Sequence, residues 1–313
     1  MKYRQLGCTG LRVSLMALGC GGPSRLGLST GRTTAQSAAV VQAALDAGIN
    51  VIDTATAYQT EPLVAAGLRG RPRDRVVLSS KRGLSADGGE RLLSGAELEA
   101  AVEASLLRLK TDYIDIYHLH GVSPEQYPHA RDEMVPALQR LQAAGKLRFL
   151  GITERFGSDT EHHMLRHGLA DGLFDVIMVG FNMLNQTARD TVLRVAGEHG
   201  VGTMIMFAVR RAFSRPQRLR ELLAELAQRD EVAPELAAAD APLSFLSTEA
   251  GDLADAAYRY CSWQPGVSTV LSGTGNLDHL HRNVASFDRG PLSAAAVARV
   301  ERLFARVTST SGS

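Results

Sequence analysis

Short apolar runs recur along this chain, each ending at a polar residue or a glycine-rich break and followed by a stretch of helical period. Strand-like runs fall at 15–18, 50–53, 75–80, 113–119, 147–152, 174–179, 202–207 and 267–272. Between them the period predicts helices over 34–47, 61–69, 95–109, 132–144, 159–169 and 186–199, with a last one over 291–307. Strands alternating with helices specify parallel βαβ units, and eight of them is the number that closes a (β/α)8 barrel, the TIM-barrel class of α/β fold. Ahead of the barrel, residues 1–14 alternate around Gly7-Cys8-Thr9-Gly10 and predict a small β-hairpin. No linker rich in proline or glycine divides residues 1–313, so one domain is expected, closed by the C-terminal helix and a polar tail, 308–313, expected to fray. Three segments break the rhythm: 83–94, 121–131 and 208–250. All follow strand C-termini, where long insertions shape a substrate pocket.

Composition narrows the class. With 45% hydrophobic and 21% charged residues, the 313-residue chain buries a large core and stays soluble. A net charge of +1 argues against a nucleic-acid or acidic-membrane partner, which would need concentrated basic charge. Cys8, Cys20 and Cys261 contain no Cys-x-x-Cys pair and read as free thiols of a reducing compartment. Residues 1–5 carry no apolar leader, and no run reaches the ~18 apolar residues of a membrane span, so a cytoplasmic protein is expected.

The strand ends carry the chemistry. Strand 50–53 stops at Asp53, with Tyr58 five residues on. Strand 75–80 stops at Lys81, and strand 113–119 stops at His120. In a parallel barrel all these ends share one face, so the four side chains converge. A lysine ammonium near a phenol favours the phenolate, and an aspartate keeps that lysine charged and aimed. A histidine at the same rim hydrogen-bonds a carbonyl or hydroxyl. Together they form a proton donor and an oxyanion site for a carbonyl accepting hydride, and hydride requires a nicotinamide or flavin. His118, two residues before His120, points into the same interior one layer deeper and reads as a core histidine.

Six segments carry a resemblance. They are Leu6-Gly7-Cys8-Thr9-Gly10-Leu11-Arg12-Val13-Ser14, Asp53-Thr54-Ala55 with Tyr58, Ser80-Lys81, and Thr111-Asp112-Tyr113-Ile114-Asp115-Ile116-Tyr117 with His120. The others are Gly145-Lys146-Leu147-Arg148-Phe149-Leu150-Gly151-Ile152 and Ser272-Gly273-Thr274-Gly275 followed by Leu280 and Asn283. In this order they resemble the aldo-keto reductases, which are TIM barrels reducing aldehydes and ketones with NADPH or NADH. The resemblance implies that Tyr58 is the general acid, Lys81 tunes it, Asp53 holds Lys81, and His120 orients a small carbonyl substrate.

The cofactor end departs from that pattern. Relatives carry a Ser-Asn pair and a Gln that hold the nicotinamide carboxamide; Thr153, Glu154 and Met178 stand there. The ring-stacking aromatic falls at Met206, with Phe207 one step off. Glu154 is expected to be protonated, to pair with Arg210 or Arg155, or to face solvent. Gly273-Thr274-Gly275-Asn276 opens a helix whose N-terminus attracts phosphate. Gly273, Gly275 and His279 stand where relatives often hold Lys or Arg for a 2′-phosphate, and Arg282, where relatives commonly have Glu beside the adenine-binding Asn283, is placed to contact that phosphate or to stack on adenine. The resemblance implies NADP, with NAD as a serious rival. Arg210-Arg211 stands within reach of the pyrophosphate or simply faces solvent. His162-His163 and His167 read as a solvated helix face rather than a metal site, Trp263 as packing, and Tyr127 and Phe213 as candidate pocket linings. The rebuilt nicotinamide positions leave open a redox-sensing or scaffold protein that binds NADP(H) with little turnover. A barrel isomerase using Lys81 or His120 is a third reading.

Overall fold

The computed structural model describes residues 1–86 and 88–313. An antiparallel hairpin, β1 (Tyr3–Gln5) and β2 (Arg12–Ser14), precedes a closed barrel of eight parallel strands in the order β10-β3-β4-β5-β6-β7-β8-β9. These are β3 (Met16–Gly19), β4 (Val51–Asp53), β5 (Val77–Gly83), β6 (Ile114–Val122), β7 (Leu147–Glu154), β8 (Val176–Gly180), β9 (Gly202–Met206) and β10 (Thr269–Ser272). Each falls on a predicted run. Observed strands end later than the pattern places them at β5, β6 and β7, because Lys81, His120 and Glu154 stay in the ladder despite being polar.

The hairpin plugs the N-terminal mouth of the barrel. Gly7, at φ 52°, brings the turn against the residues before β9, where Cys8 N–H donates to the Gly200 carbonyl at 2.7 Å. Leu6, Leu11 and Val13 then join Val176, Met178 and Met204 in an apolar cluster inside the barrel. A larger apolar cluster lies between the strands and the surrounding helices. Capping boxes start the helices Thr34–Asp46 (Thr33 with Gln36) and Gly95–Leu109 (Ser94 with Glu97), which fixes where the chain turns back along the barrel wall.

Four expectations are corrected. Segment 208–250 is not an open loop. It folds into helices Arg211–Ser214, Pro216–Ala227 and Pro234–Ala238, whose buried face includes Leu219, Leu222, Leu223 and Leu226. The predicted helix 159–169 starts only at His163, because His162 adopts φ 62° and the Asp159 carboxylate accepts from His163 and Met164 N–H. The tail expected to fray is held down: Asn182 donates to the Ser311 carbonyl, Asn185 to the Thr310 carbonyl, and Glu231 accepts from Thr308 and Ser309 N–H. Tyr127 and Phe213 do not line a pocket; both are buried, with Tyr127 O–H donating to Asp171 at 2.8 Å. Segment 83–94 closes on a Ser85–Leu92 bridge; its residue 87 lies outside the described residues.

Candidate active site

Barrel register determines which side chains meet. Asp53 on β4 pairs with Ser79 on β5, and Lys81, two residues on, shares their inward face. Lys81 Nζ donates to Asp53 Oδ1 at 2.5 Å and to the Thr54 carbonyl at 2.9 Å, while Ser79 Oγ donates to the same Asp53 oxygen at 2.8 Å. Both charged groups are buried. Burial opposes the ammonium, yet the adjacent Asp53 carboxylate outweighs it, and the Lys81 pKa ends above its ordinary value. The pair is thus a fixed ionic floor.

Above that floor stands Tyr58, on a single 3-10 turn after β4. Lys81 Nζ lies 5.2 Å from its ring centroid. Its hydroxyl is 3.4 Å from His120 Nε2, and the two rings meet edge to face, centroids 5.6 Å apart. The Tyr58 pKa corrects a simple expectation. Burial pushes the phenol above its usual value, the Lys81 ammonium pulls it down, and Asp53 cancels part of that pull. The phenol is therefore held as a loaded acid. His120 is pulled down to about 3 by burial and by Lys81, Arg155 and Arg82, so its imidazole is neutral. His118 is fully buried against Gly151, where an added Cβ would lie 2.2 Å from its Nδ1. Burial and Lys81 hold its pKa well below the ordinary value, as suits a core histidine. Sequence reasoning missed Gly21. A Cβ there would come within 2.5 Å of Tyr58 Cε2, so only a glycine lets the loop after β3 lie on the phenol ring.

The cofactor-end residues separate into those already engaged and those free. Thr153 Oγ1 accepts from Gly121 N–H at 2.7 Å. Glu154 neither faces solvent nor pairs with Arg155 or Arg210. It is buried, both oxygens lie within 2.9 Å of His162 Nδ1, and Oε1 also accepts from Gly180 N–H. Burial raises its pKa against the opposing pull of His162 and that N–H. His162 is therefore no part of a solvated face; its Nε2 meets Thr187 Oγ1 at 2.9 Å. His163 finds an acidic partner in Asp159 at 3.0 Å, His167 stacks on Tyr127, and among the described residues no cluster could hold a metal. Trp263 packs at the barrel base, with Lys2 and Arg4 over its ring.

Met178 and Met206 are buried in the barrel's interior apolar cluster. Phe207 is 37% exposed at φ 67°, stacked 6.2 Å from Phe156, with the Arg210 guanidinium 4.1 Å over its ring. Phe156 stacks in turn on His162 at 5.3 Å. Arg210 is half-buried; it donates to Ser311 Oγ and has no carboxylate partner among the described residues. Its buried Nε lacks any acceptor. Gly275 packs so closely on Gly27 that a Cβ would meet its nitrogen at 2.3 Å, and a Cβ at Gly273 would meet the Gly19 carbonyl at 3.0 Å. Asn276 caps the helix Leu277–Asp288, accepting from Asp278 and His279 N–H. Thr274 is buried, His279 and Arg282 are exposed, and Asn283 donates to Ser272 Oγ at 2.8 Å. The Arg210 guanidinium, with no ion pair among the described residues, and the partly exposed Phe207 ring fit the phosphates and flat ring of a dinucleotide. The engaged Thr153 and Glu154 offer its carboxamide no free amide.

A sequence model of the Aldo/keto reductase family matches residues 17–305. The uncharacterized oxidoreductase YqkF of Bacillus subtilis is 26% identical over 308 residues, 91% of this chain and 90% of that protein. L-galactose dehydrogenase of Arabidopsis thaliana is 29% identical over 297 residues, 91% of this chain and 88% of that one. Among solved structures, the holo form of aldo-keto reductase AKR11C1 from Bacillus halodurans superposes with a TM-score of 0.75 at 27% identity, covering 97% of this chain and 96% of that one. With the barrel and its strand-end chemistry, these matches make the chain a member of the aldo/keto reductase family and an NAD(P)H-dependent oxidoreductase.

Proposed function

We propose that the protein reduces a small aldehyde or ketone to the alcohol, or runs the reverse, with Tyr58 as the proton donor. The observation that carries this is the phenol hydroxyl 3.4 Å from a neutral His120, standing over the buried Lys81–Asp53 pair. Bound NADP(H), or NAD(H), supplies or accepts the hydride. Neutral His120 donates one hydrogen bond to the carbonyl oxygen and fixes its direction. Tyr58 hands its proton to that oxygen as negative charge develops, and the Lys81 ammonium, anchored by Asp53 and the Thr54 carbonyl, stabilises the phenolate left behind. The Gly21 backbone packs against the ring and helps fix its position.

Phe207 offers a ring face, Met178 and Met206 an apolar floor, and Arg210 an unpaired cation for the pyrophosphate. Gly273, Thr274, Gly275, His279, Arg282 and Asn283 border the adenine end. Arg282 beside Asn283 favours NADP over NAD. No helix among the described residues is long and apolar enough to cross a membrane. Three unpaired cysteines fit a cytoplasmic setting.

The test is Tyr58→Phe. NADPH-dependent aldehyde reduction should fall by roughly 10²–10⁴-fold while NADPH binding, read by its fluorescence, is preserved. Turnover like that of the parent protein would remove the mechanism. Glu154, tied to His162 where relatives hold the carboxamide, favours a second reading as an NADP(H)-binding sensor with little turnover. Single-turnover hydride transfer to a reactive aldehyde separates the two.

A further inference from the structure

Two arginines flank the strand that carries His120. Arg82 follows Lys81 on β5, in register with Leu119, and Arg155 directly follows Glu154 at the end of β7; β6 and His120 lie between them. Arg155 Nε donates to the carbonyl of Gly121, the residue after His120, at 3.3 Å, and Arg82 Nη2 donates to the Ala86 carbonyl at 3.2 Å. Backbone carbonyls engage one donor of each guanidinium and cancel none of its charge. Neither arginine forms an ion pair among the described residues.

Among the described residues, the buried carboxylates of this rim are committed elsewhere. Asp53 holds Lys81, Glu154 holds His162, and Glu61 holds Arg108 and Ser80. Asp159 caps the helix at His163. Glu125, whose field reaches Arg155, stands in open water, where its pull is screened. Both guanidiniums also act on the His120 ring, helping to keep it neutral, so their charge is felt where a carbonyl would sit.

The topology separates this charge from the cofactor. The groups suited to a dinucleotide, Phe207, Arg210 and the turn at 273–275, follow β9 and β10. Arg82 and Arg155 belong to β5 and β7, around His120. Two guanidiniums with no ion pair among the described residues stand beside the carbonyl site, away from the pyrophosphate, where an anion carried by the substrate would meet them. Building on the carbonyl-reductase reading, we infer that the preferred substrate is an anionic carbonyl compound, with a carboxylate or phosphate a few bonds from the aldehyde or ketone. Arg155 and Arg82 grip that anion while Tyr58 and His120 hold the oxygen. The planar guanidinium fork suits both anions, and Arg155, held by one donor only, has its terminal nitrogens free for a bidentate contact.

Two matched pairs test this with the full chain and saturating NADPH: 4-formylbenzoate against its methyl ester, and glyceraldehyde 3-phosphate against glyceraldehyde. The anionic member of at least one pair should show kcat/KM about tenfold higher, mainly through KM, with the advantage shrinking as salt rises. A preference in the first pair assigns a carboxylate, in the second a phosphate. Arg155→Met and Arg82→Met should each cut the anion-to-neutral ratio about tenfold, and Arg155→Lys should restore part of it. Equal turnover within both pairs, or a preference that neither substitution alters, overturns the inference and leaves carbonyl reduction standing. No NADPH oxidation with any of the four compounds overturns the carbonyl-reductase reading and this inference with it.

Discussion

Tyr58 concentrates the opposing forces at this site. An exposed phenol beside an ammonium would move toward the phenolate; here burial and Asp53 win, and the proton stays on at neutral pH. A donor whose pKa sits above 10 loses its proton only when pH rises past that value. His120, at about 3, gains one only in strong acid. Neither group titrates near neutrality. The kcat/KM for carbonyl reduction at saturating NADPH should therefore show no limb between about pH 5 and 9, with the first decline on the basic side. A profile with an inflection near the free-histidine value of about 6.5, abolished by His120→Asn, would contradict this assignment. The same shift bears on stability. Because the folded pKa of His120 is depressed, the unfolded chain protonates first as pH falls, and stability drains away from about pH 6.5 toward 3. Acid unfolding of His120→Asn, followed by circular dichroism, should accordingly set in at lower pH than that of the parent chain.

Strand ends were legible and the spaces between elements were not. Asp53, Lys81 and His120 each terminate an apolar run, so period and parallel topology alone bring them to one rim. Glu154 terminates a run too, but its partner lies eight residues on, presented by a left-handed His162 that no periodicity marks. The segment 208–250 hid its helices because the amphipathic run 216–227 sits among prolines and arginines that read as loop. The Glu154–His162 element is consequential because both partners are buried. Removing one leaves an unpaired polar group in the interior, so His162→Leu should cost about 3–5 kcal/mol in chemical denaturation. Replacing both, with Glu154→Met and His162→Leu, should recover most of that loss, since two apolar groups leave nothing unsatisfied. Additive losses in the double variant would show that the pair is not a unit.

At the scale of the whole molecule, the barrel is closed at one end by the N-terminal hairpin, and at the other the C-terminal tail is tied to the segments after β8 and β9. The tail has no helical period and no apolar run, so sequence alone marks it as free. Its anchorage comes from two buried asparagines in the loop after β8, whose amides donate to tail carbonyls as well as to those of Phe207 and Thr160. Asn185 Nδ2 donates to the Thr160 and Thr310 carbonyls, while its Oδ1 accepts from Thr187 N–H and O–H. That single side chain joins the tail to Thr187, and through Thr187 to His162 and Glu154 beneath the cofactor end. Asn185→Ala removes the contacts to Thr160, Thr310 and Thr187 at once and leaves the part-buried Thr310 carbonyl without this donor, each lost bond worth about 1–3 kcal/mol. Global stability should fall by about 2–4 kcal/mol, and residues 308–313 should become open to carboxypeptidase under native conditions. Tyr58 follows β4 and Lys81 lies on β5, away from this loop, so turnover at low temperature should survive. A tail that stays protected in this variant would mean that the Asn182 and Glu231 contacts suffice, and that the coupling from tail to Glu154 does not run through Asn185.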